Sequence, residues 1–151
     1  MSVTRDFPDL PPVWALGFAA GQGVLAALLP LVQFDPGWAT PIGWTLIALG
    51  FGLVVWSAWW FRRKRTTIEP RERPTALIVE GPYRINRNPI YTGMAVALVG
   101  IGFMLGALSA VLPALTFPFV IGRRFVRGEE AVLRKAFGAE AEHYFAATRR
   151  W

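Results

Sequence analysis

The chain has 151 residues, a length that suits one domain and is short for two. Hydrophobic residues make up 54% of it and charged residues 17%, against about 25% in soluble domains, so the composition argues against a water-soluble enzyme. The net charge of +6 would suggest nucleic acid as the partner of a soluble protein. Here the basic residues flank long apolar segments, and we predict no nucleic-acid partner.

Three segments carry no charged residue: 10–34, 36–61 and 88–122, with 25, 26 and 35 residues. Each exceeds the roughly 18 apolar residues that mark a membrane-span candidate. The first two segments predict membrane spans at about residues 12–34 and 38–61. The first is of span length rather than signal-peptide length, so we expect it to remain in the mature protein.

The third segment is too long for one straight span, because 35 helical residues extend about 50 Å and the hydrocarbon core is about 30 Å thick. A hairpin that turns near residues 106–110 gives two spans, at about 89–105 and 108–124. It also places all 16 Lys and Arg residues on one side of the membrane. The hairpin is therefore favoured, since Lys and Arg near span ends stay on the cytoplasmic side.

These segments predict an all-α integral membrane protein with about four transmembrane helices, including a helical hairpin in the C-terminal half. The single domain covers residues 1–151. Both termini, the polar segment 62–88 and the segment 125–151 with its amphipathic C-terminal helix are predicted to be cytoplasmic. We expect the protein in a bacterial inner membrane, in contact with membrane lipids.

Two glycine pairs have the spacing that lets membrane helices approach closely: Gly17 with Gly21, and Gly102 with Gly106. Packing within one monomer and a dimer interface both explain such pairs, so the oligomeric state stays open. The chain has no cysteine and a single histidine, His143. Disulfides, cysteine nucleophiles and two-histidine metal motifs are excluded, and we predict no metal site.

The first polar segment ends in the motif Arg-Ile-Asn-Arg-Asn-Pro-Ile-Tyr-Thr-Gly at residues 84–93. Pro89 suits the first position of a helix and Asn88 suits its N-cap, so a helix is predicted to begin at the membrane surface. Its free amides, with Arg84 and Arg87 beside them, make an anion site. A capped span with snorkelling arginines is the alternative interpretation.

The second polar segment carries an acidic pair, Glu129 and Glu130, and then an amphipathic helix. Adjacent residues do not share a helix face, so we expect one carboxylate toward the arginines and the other toward water. A solvated first helical turn is the alternative. If both segments meet on one membrane face, arginines, a helix N-terminus and a carboxylate would suit a zwitterionic, nucleotide-like ligand.

The string Gly-Pro-Tyr-Arg-Ile-Asn-Arg-Asn-Pro-Ile-Tyr-Thr-Gly at 81–93 is followed by the hairpin, the acidic pair, Phe137-Gly138, Tyr144 and Arg149-Arg150-Trp151. Over residues 66–151 this pattern resembles the isoprenylcysteine carboxyl methyltransferases and phospholipid methyltransferases, a group of integral membrane enzymes. Two positions depart from the pattern. Asn88 stands where many relatives have His, which leaves no imidazole there to handle a proton, and Ala141 stands where an aromatic residue is common.

The resemblance implies S-adenosyl-L-methionine as cofactor, bound on the cytoplasmic side between the start of the hairpin and the C-terminal helix. The acceptor would be a lipophilic molecule from the bilayer, with either an isoprenylcysteine-like carboxylate or a lipid headgroup as the methylated group. We predict that the cofactor contacts Tyr83, Arg84, Arg87, Asn88, Pro89, Tyr91, Glu129 and Glu130. Of these, Arg87, Tyr91 and Glu130 are predicted to be catalytic.

Two alternatives remain from sequence. Membrane sterol and steroid reductases, which use NADPH, resemble the hairpin and the Arg-x-Pro-x-Tyr string at residues 87–91. They are usually longer than this chain. The other alternative is a non-catalytic bundle that organises lipid or a partner protein, and it predicts that no nucleotide-like ligand binds.

Overall fold

The computed structural model describes residues 9–67 and 74–151. Residues 1–8, with Arg5, and residues 68–73 of the first polar segment lie outside this part, so the predictions for them are not addressed. The described residues form six α-helices: α1 (Pro11–Leu28), α2 (Pro36–Lys64), α3 (Pro89–Met104), α4 (Leu108–Ile121), α5 (Arg127–Phe137) and α6 (Ala139–Ala147). A 3-10 helix at Gly81–Arg84 precedes α3, and a π-helix at Gly122–Val126 joins α4 to α5.

The described residues contain two isolated β-bridges and no strand, which confirms the all-helical fold. Three stretches are long and apolar enough to cross a membrane: α1, α2 and the continuous run from α4 to α5. Their outer faces carry large apolar side chains such as Leu16 and Phe51, a surface suited to lipid. The fourth predicted span, α3, has 16 residues and is short for a crossing on its own. The count of four spans therefore stays a prediction.

The ends of the first two helices differ from the predicted bounds. Helix α1 ends at Leu28, earlier than predicted, and Pro30 follows, which has no amide hydrogen to continue a helix. Helix α2 continues to Lys64, beyond the predicted end. Its last turn carries Arg62, Arg63 and Lys64, whose positive charges interact favourably with the negative end of the helix dipole.

The third apolar segment folds back as a hairpin, with α3 and α4 as its arms and the turn at residues 105–107. Gly106 adopts a φ of +69°, a left-handed conformation that glycine adopts without strain. The turn pairs with the loop between α1 and α2: Phe34 donates to Gly106 at 2.8 Å, and Leu108 donates to Val32 at 2.8 Å. Both turns thus lie at one end of the bundle, and the motif before α3 lies at the other.

Glycines bring α2 and α3 into backbone contact at two levels. A Cβ added at Gly50 would lie 2.4 Å from the carbonyl oxygen of Gly93, and one added at Gly43 would lie 2.8 Å from that of Gly100. The converse additions at Gly93 and Gly100 would meet the carbonyls of Gly50 and Gly43 at 2.6 and 2.7 Å. This close packing sets the position of α3, and therefore of the motif at its start.

The predicted glycine pairs behave differently from each other. Gly102 packs against α4, since a Cβ there would lie 2.9 Å from the Cα of Val111. Among the described residues, nothing lies within 4 Å of a Cβ added at Gly17 or Gly21, so this pair makes no close helix contact within the monomer. A buried glutamine, and not this glycine pair, joins α1 to the hairpin.

Gln22 is fully buried between α1 and the hairpin. Its Nε2 donates to the carbonyl oxygen of Leu98 at 2.8 Å and to that of Ala110 at 2.6 Å. Beside it, the rings of Phe18 and Phe117 make an edge-to-face contact with centroids 5.2 Å apart. One polar side chain thus holds both arms of the hairpin against α1.

The segment after the hairpin is not one independent amphipathic helix. Helix α4 runs through the π-helix into α5, so the acidic pair lies on a direct extension of a membrane helix. Gly138, with a φ of +52°, then ends the helical run between α5 and α6. This break lets α6 fold back, and Tyr144 on α6 donates a hydrogen bond to the carbonyl oxygen of Tyr83 at 2.8 Å.

Candidate active site

A cavity of about 400 Å³ lies at the end of the bundle where α3 begins. The motif before α3, helix α5 and helix α6 supply its polar and aromatic lining: Tyr83, Arg87, Asn88, Tyr91, Glu129, Glu130, Tyr144 and Phe145. The remaining wall is mainly apolar and comes from the start of α1, from α2, from α3 and from residues 74–78. Polar groups thus face an apolar wall, as in many small-molecule sites.

Six of the eight residues predicted to contact a cofactor line this cavity; Arg84 and Pro89 do not. Arg84 belongs to the 3-10 helix and is exposed. Pro89 is fully buried at the first position of α3, where it fixes the start of the helix. The hairpin brings the six lining residues together, because it returns the chain to the end of the bundle at which α3 began.

Tyr91 connects α3 to α5 across the site. Its hydroxyl on α3 donates to a carboxylate oxygen of Glu129 on α5. Both side chains line the cavity, so the bond fixes the position of a carboxylate at the cavity wall. The bond also connects residues 38 positions apart in sequence, which only the folded hairpin brings together.

Glu130 is buried, with 4% of its surface exposed. Its two carboxylate oxygens accept from Nε and Nη2 of Arg150, at 2.9 and 2.6 Å. Nη1 of Arg87 lies 3.9 Å from the same carboxylate. The hydrogen bond to Glu130 raises the pKa of Arg150, which keeps this arginine charged.

The expectation that one glutamate faces water is wrong, because both Glu129 and Glu130 line the cavity. Adjacent helical residues are separated by about 100° around the axis. The cavity extends over enough of the α5 surface to include both directions: one carboxylate meets the tyrosine of α3 and the other meets the two arginines.

Arg87 has an unused donor. Its Nε is buried and has no hydrogen-bond partner among the described residues. The guanidinium carbon lies 4.8 Å from the centroid of the Phe145 ring, a cation–π contact that holds the side chain in the cavity wall. A buried donor without an acceptor is costly. The charged guanidinium, held at the cavity wall, suits an anionic ligand group.

Asn88 occupies the cap position of α3 without capping it through its side chain. Its Nδ2 instead donates to the carbonyl oxygen of Arg150 at 2.9 Å, and its backbone N–H donates to Oδ1 of Asn86 at 2.9 Å. Asn88 is thus the N-cap residue and the helix begins where predicted, but the Asn88 side chain makes no capping hydrogen bond. It bonds the end of the chain instead.

The tyrosines of the cavity are held in their neutral form. Burial raises the pKa of Tyr83, and the neighbouring Tyr144 and Glu129 raise it further. Burial also raises the pKa of Tyr144, an effect that the charge of Arg87 partly opposes. At neutral pH these hydroxyls act as hydrogen-bond donors and acceptors and not as bases.

The sequence pattern does not predict the roles of Asn86, Phe145 and Arg150. Arg150 and Arg149 stand out in sequence as basic residues on the predicted cytoplasmic side and as part of the family resemblance. Nothing in the local sequence indicates that the last residues contact a motif some 60 positions earlier, at Asn86 and Asn88. Within the described residues, no group of three or more His, Cys, Asp and Glu side chains could hold a metal ion.

Comparison with known proteins identifies the family of the chain. A family model described as phospholipid methyltransferase matches residues 38–140. The chain is also 34% identical to the cobalt-zinc-cadmium resistance protein CzcN of Cupriavidus metallidurans over 126 residues, which are 80% of this chain and 54% of that protein. The chain thus spans about half the length of this curated relative. No solved structure matches the chain significantly.

The family model extends from the start of α2 through the motif, the hairpin and the acidic pair, and it covers more than half of the chain. This confirms the resemblance drawn from the motif. Together with three span-length apolar helices, it indicates an integral membrane protein of this family. The chain belongs to the phospholipid methyltransferase family.

Proposed function

We propose that this protein transfers a methyl group from S-adenosyl-L-methionine to a lipophilic acceptor, with the cofactor in the cavity beside α3. One observation carries the proposal: Arg87, whose buried Nε has no partner among the described residues, and two carboxylates line the same cavity at the end of an apolar helical bundle. Such a site offers opposite charges within one enclosure next to the lipid.

The residues fit the cofactor chemically. Its methionine part carries a carboxylate, an ammonium group and a sulfonium. Arg87 supplies a positive guanidinium at the cavity wall for the carboxylate, and Glu129, which accepts from an uncharged hydroxyl, can accept from the ammonium group or a ribose hydroxyl. A volume of about 400 Å³ lies in the range of sites for small molecules.

The aromatic lining suits the cationic sulfonium. Tyr83, Tyr91, Tyr144 and Phe145 all line the cavity. A cation is attracted to the face of an aromatic ring, and this attraction is stronger where water is excluded. Bound S-adenosyl-L-methionine would supply a methyl carbon already activated by positive sulfur. The protein would then contribute position, alignment and exclusion of water.

The apolar wall supports a lipophilic acceptor. Pro11 on α1, Val54 on α2 and Met94 on α3 line the side of the cavity contributed by the long membrane helices. An isoprenylcysteine-like carboxylate would already be ionised at neutral pH and would need only to be aimed. A lipid headgroup amine must lose a proton first, and Glu129 is the cavity carboxylate available to accept it.

The orientation of the protein is part of the proposal. The loop between α1 and α2 and the hairpin turn contain no Lys or Arg, and they pair with each other at one end of the bundle. Basic residues follow α2 and α4 toward the other end. This distribution supports a cytoplasmic site and cytoplasmic termini, in a bacterial inner membrane.

The proposal is tested by ligand binding to the purified protein in detergent. We expect S-adenosyl-L-methionine to bind, Arg87→Ala to lose binding, and Arg84→Ala to retain it, because Arg84 is exposed and outside the cavity. Binding of NADPH without S-adenosyl-L-methionine would favour a reductase instead. Binding of neither would favour a non-catalytic bundle. A labelled methyl donor offered with lipid extracts would then identify the acceptor.

A further inference from the structure

The last four residues of the chain, 148–151, run back across the candidate active site; we call them the return segment. The backbone N–H of Arg87 donates to the carbonyl oxygen of Arg149 at 2.9 Å. Asn86 and Arg149 form a parallel β-bridge. The Trp151 ring lies 3.6 Å from where a Cβ of Gly122 would be, so the segment also reaches the π-helix.

Within the return segment, Arg150 bonds to both sides of the cavity. Its carbonyl oxygen accepts from Nδ2 of the buried Asn88, in the motif before α3. Its guanidinium donates twice to Glu130, on α5. One residue therefore connects the two elements that supply the charged groups of the cavity.

Glu130 lies close to two arginines, Arg150 and Arg87. The side chain of Arg150 is 41% exposed, while those of Arg87 and Glu130 are 15% and 5% exposed. A carboxylate so deeply buried is unstable without a partner. Arg150 supplies that partner through a bidentate pair, the geometry that fixes a carboxylate most firmly.

Arg87 lies near the carboxylate of Glu130 but makes no hydrogen bond to it. The separation of 3.9 Å between its Nη1 and Glu130 exceeds hydrogen-bond length, so their attraction is electrostatic. Together with the ring of Phe145, the carboxylate lies beside the Arg87 guanidinium, whose Nε has no partner among the described residues. Glu130 has both oxygens bonded to Arg150, whereas Glu129 accepts from the neutral Tyr91 hydroxyl.

We propose that Arg150 is a positioning residue: it fixes Glu130, and Glu130 in turn holds Arg87 where its guanidinium meets a carboxylate of the ligand. The inference rests on the proposed function. It separates the roles of the acidic pair, since Glu129 faces the ligand and Glu130 supports Arg87. It also gives Asn88 a role as the anchor of the return segment.

The inference predicts selective loss of recognition of one ligand group. Two probes isolate that group: S-adenosylhomocysteine, and its decarboxylated analogue, which lacks only the carboxylate. We expect Arg150→Gln to weaken binding of S-adenosylhomocysteine about tenfold, the size typical of a lost charge-assisted pair. Binding of the decarboxylated analogue should stay within about twofold of wild type.

Two variants serve as controls. Arg149→Gln changes the exposed neighbouring arginine, whose backbone carbonyl keeps its bond to Arg87, and it should leave both affinities unchanged. Arg150→Lys keeps the charge and loses the bidentate fork, so the ratio of the two affinities should fall between those of wild type and Arg150→Gln. The Lys variant provides the same test if the Gln variant does not fold.

The outcomes are distinguishable. Equal weakening of both probes by Arg150→Gln would mean that Arg150 only holds the fold together, and it would overturn the inference. Unchanged affinity for S-adenosylhomocysteine would overturn it as well. A wild-type protein that binds neither probe would instead contradict the proposed function, and the comparison of the two probes in wild type is therefore measured first.

Discussion

The glycine contacts between α2 and α3 give a sharp test of how the fold positions the site. A methyl group at Gly50 would lie 2.4 Å from the carbonyl oxygen of Gly93 and 2.7 Å from the amide nitrogen of Ala97. Both are backbone atoms, so no side-chain rotation relieves the contact. To reach the ordinary contact distance of 3.4 Å, the two helices must separate locally by about 1 Å. Gly52, two residues along the same helix, has nothing within 4 Å of an added Cβ.

We therefore expect Gly50→Ala to lower the free energy of unfolding by about 1–3 kcal/mol, the usual cost of overpacking. Gly52→Ala should leave stability unchanged or raise it by up to about 1 kcal/mol, because alanine favours a helix over glycine. Thermal unfolding of the purified proteins in one detergent, followed by circular dichroism, measures both. Ligand affinity should fall in Gly50→Ala, since α3 carries Tyr91. Equal stability of the two variants would refute the close approach of α2 and α3.

Three further outcomes are expected. Lys64 bonds to Glu80 and lowers the pKa of this carboxyl below its ordinary value of 4.5. A lowered pKa stabilises the folded state above the unfolded-state pKa, and this contribution is lost as the pH falls through the folded-state pKa. Because the Glu80 side chain is 38% exposed, screening keeps the effect under about 1 kcal/mol, and Glu80→Gln should reduce the change in unfolding temperature between pH 6 and pH 3 only slightly. Gln22→Leu loses two hydrogen bonds to the hairpin, and its free energy of unfolding in the same thermal assay should be lower by about 1 kcal/mol. A more stable variant would contradict the role of Gln22 in holding the hairpin against α1. Reporters at Gln33 and after Trp151 should map to opposite sides of the membrane, with the second in the cytoplasm, and an external second reporter would contradict the hairpin.

The hairpin and the place of the site could be predicted because both depend on signals local to the sequence. The uncharged run 88–122 is too long for one span, and its basic flanks must remain on one side. The Asn88-Pro89 pair marks a helix start. Once the chain folds back, residues before α3 and after α4 have to meet. This is why Arg87, Tyr91, Glu129 and Glu130 lie around one cavity.

The helix contacts could not be predicted in the same way, because they depend on which faces meet. The GxxxG spacing of Gly17 and Gly21 resembles a packing motif, yet nothing in the described part of the chain lies within 4 Å of a Cβ added at either glycine. The contacts that form use glycines seven residues apart on each of two helices, at 43 and 50 and at 93 and 100. No single-segment pattern reveals that these four positions face one another. The bonds of the return segment span 62 residues and are equally hidden in sequence.

The acidic pair shows how a local irregularity determines what the site contains. The π-helix at Gly122–Val126 places one extra residue in the turn between α4 and α5. Had the same sequence continued as an uninterrupted α-helix, every later residue would be rotated by about 100° and moved about 1.5 Å along the axis. Gly128 would then stand where Glu129 meets Tyr91, and Glu129 would stand where Glu130 meets Arg150. The cavity would keep one carboxylate and lose the other. The two distinct carboxylate positions therefore depend on a five-residue change of helix type that neither apolar periodicity nor charge reveals.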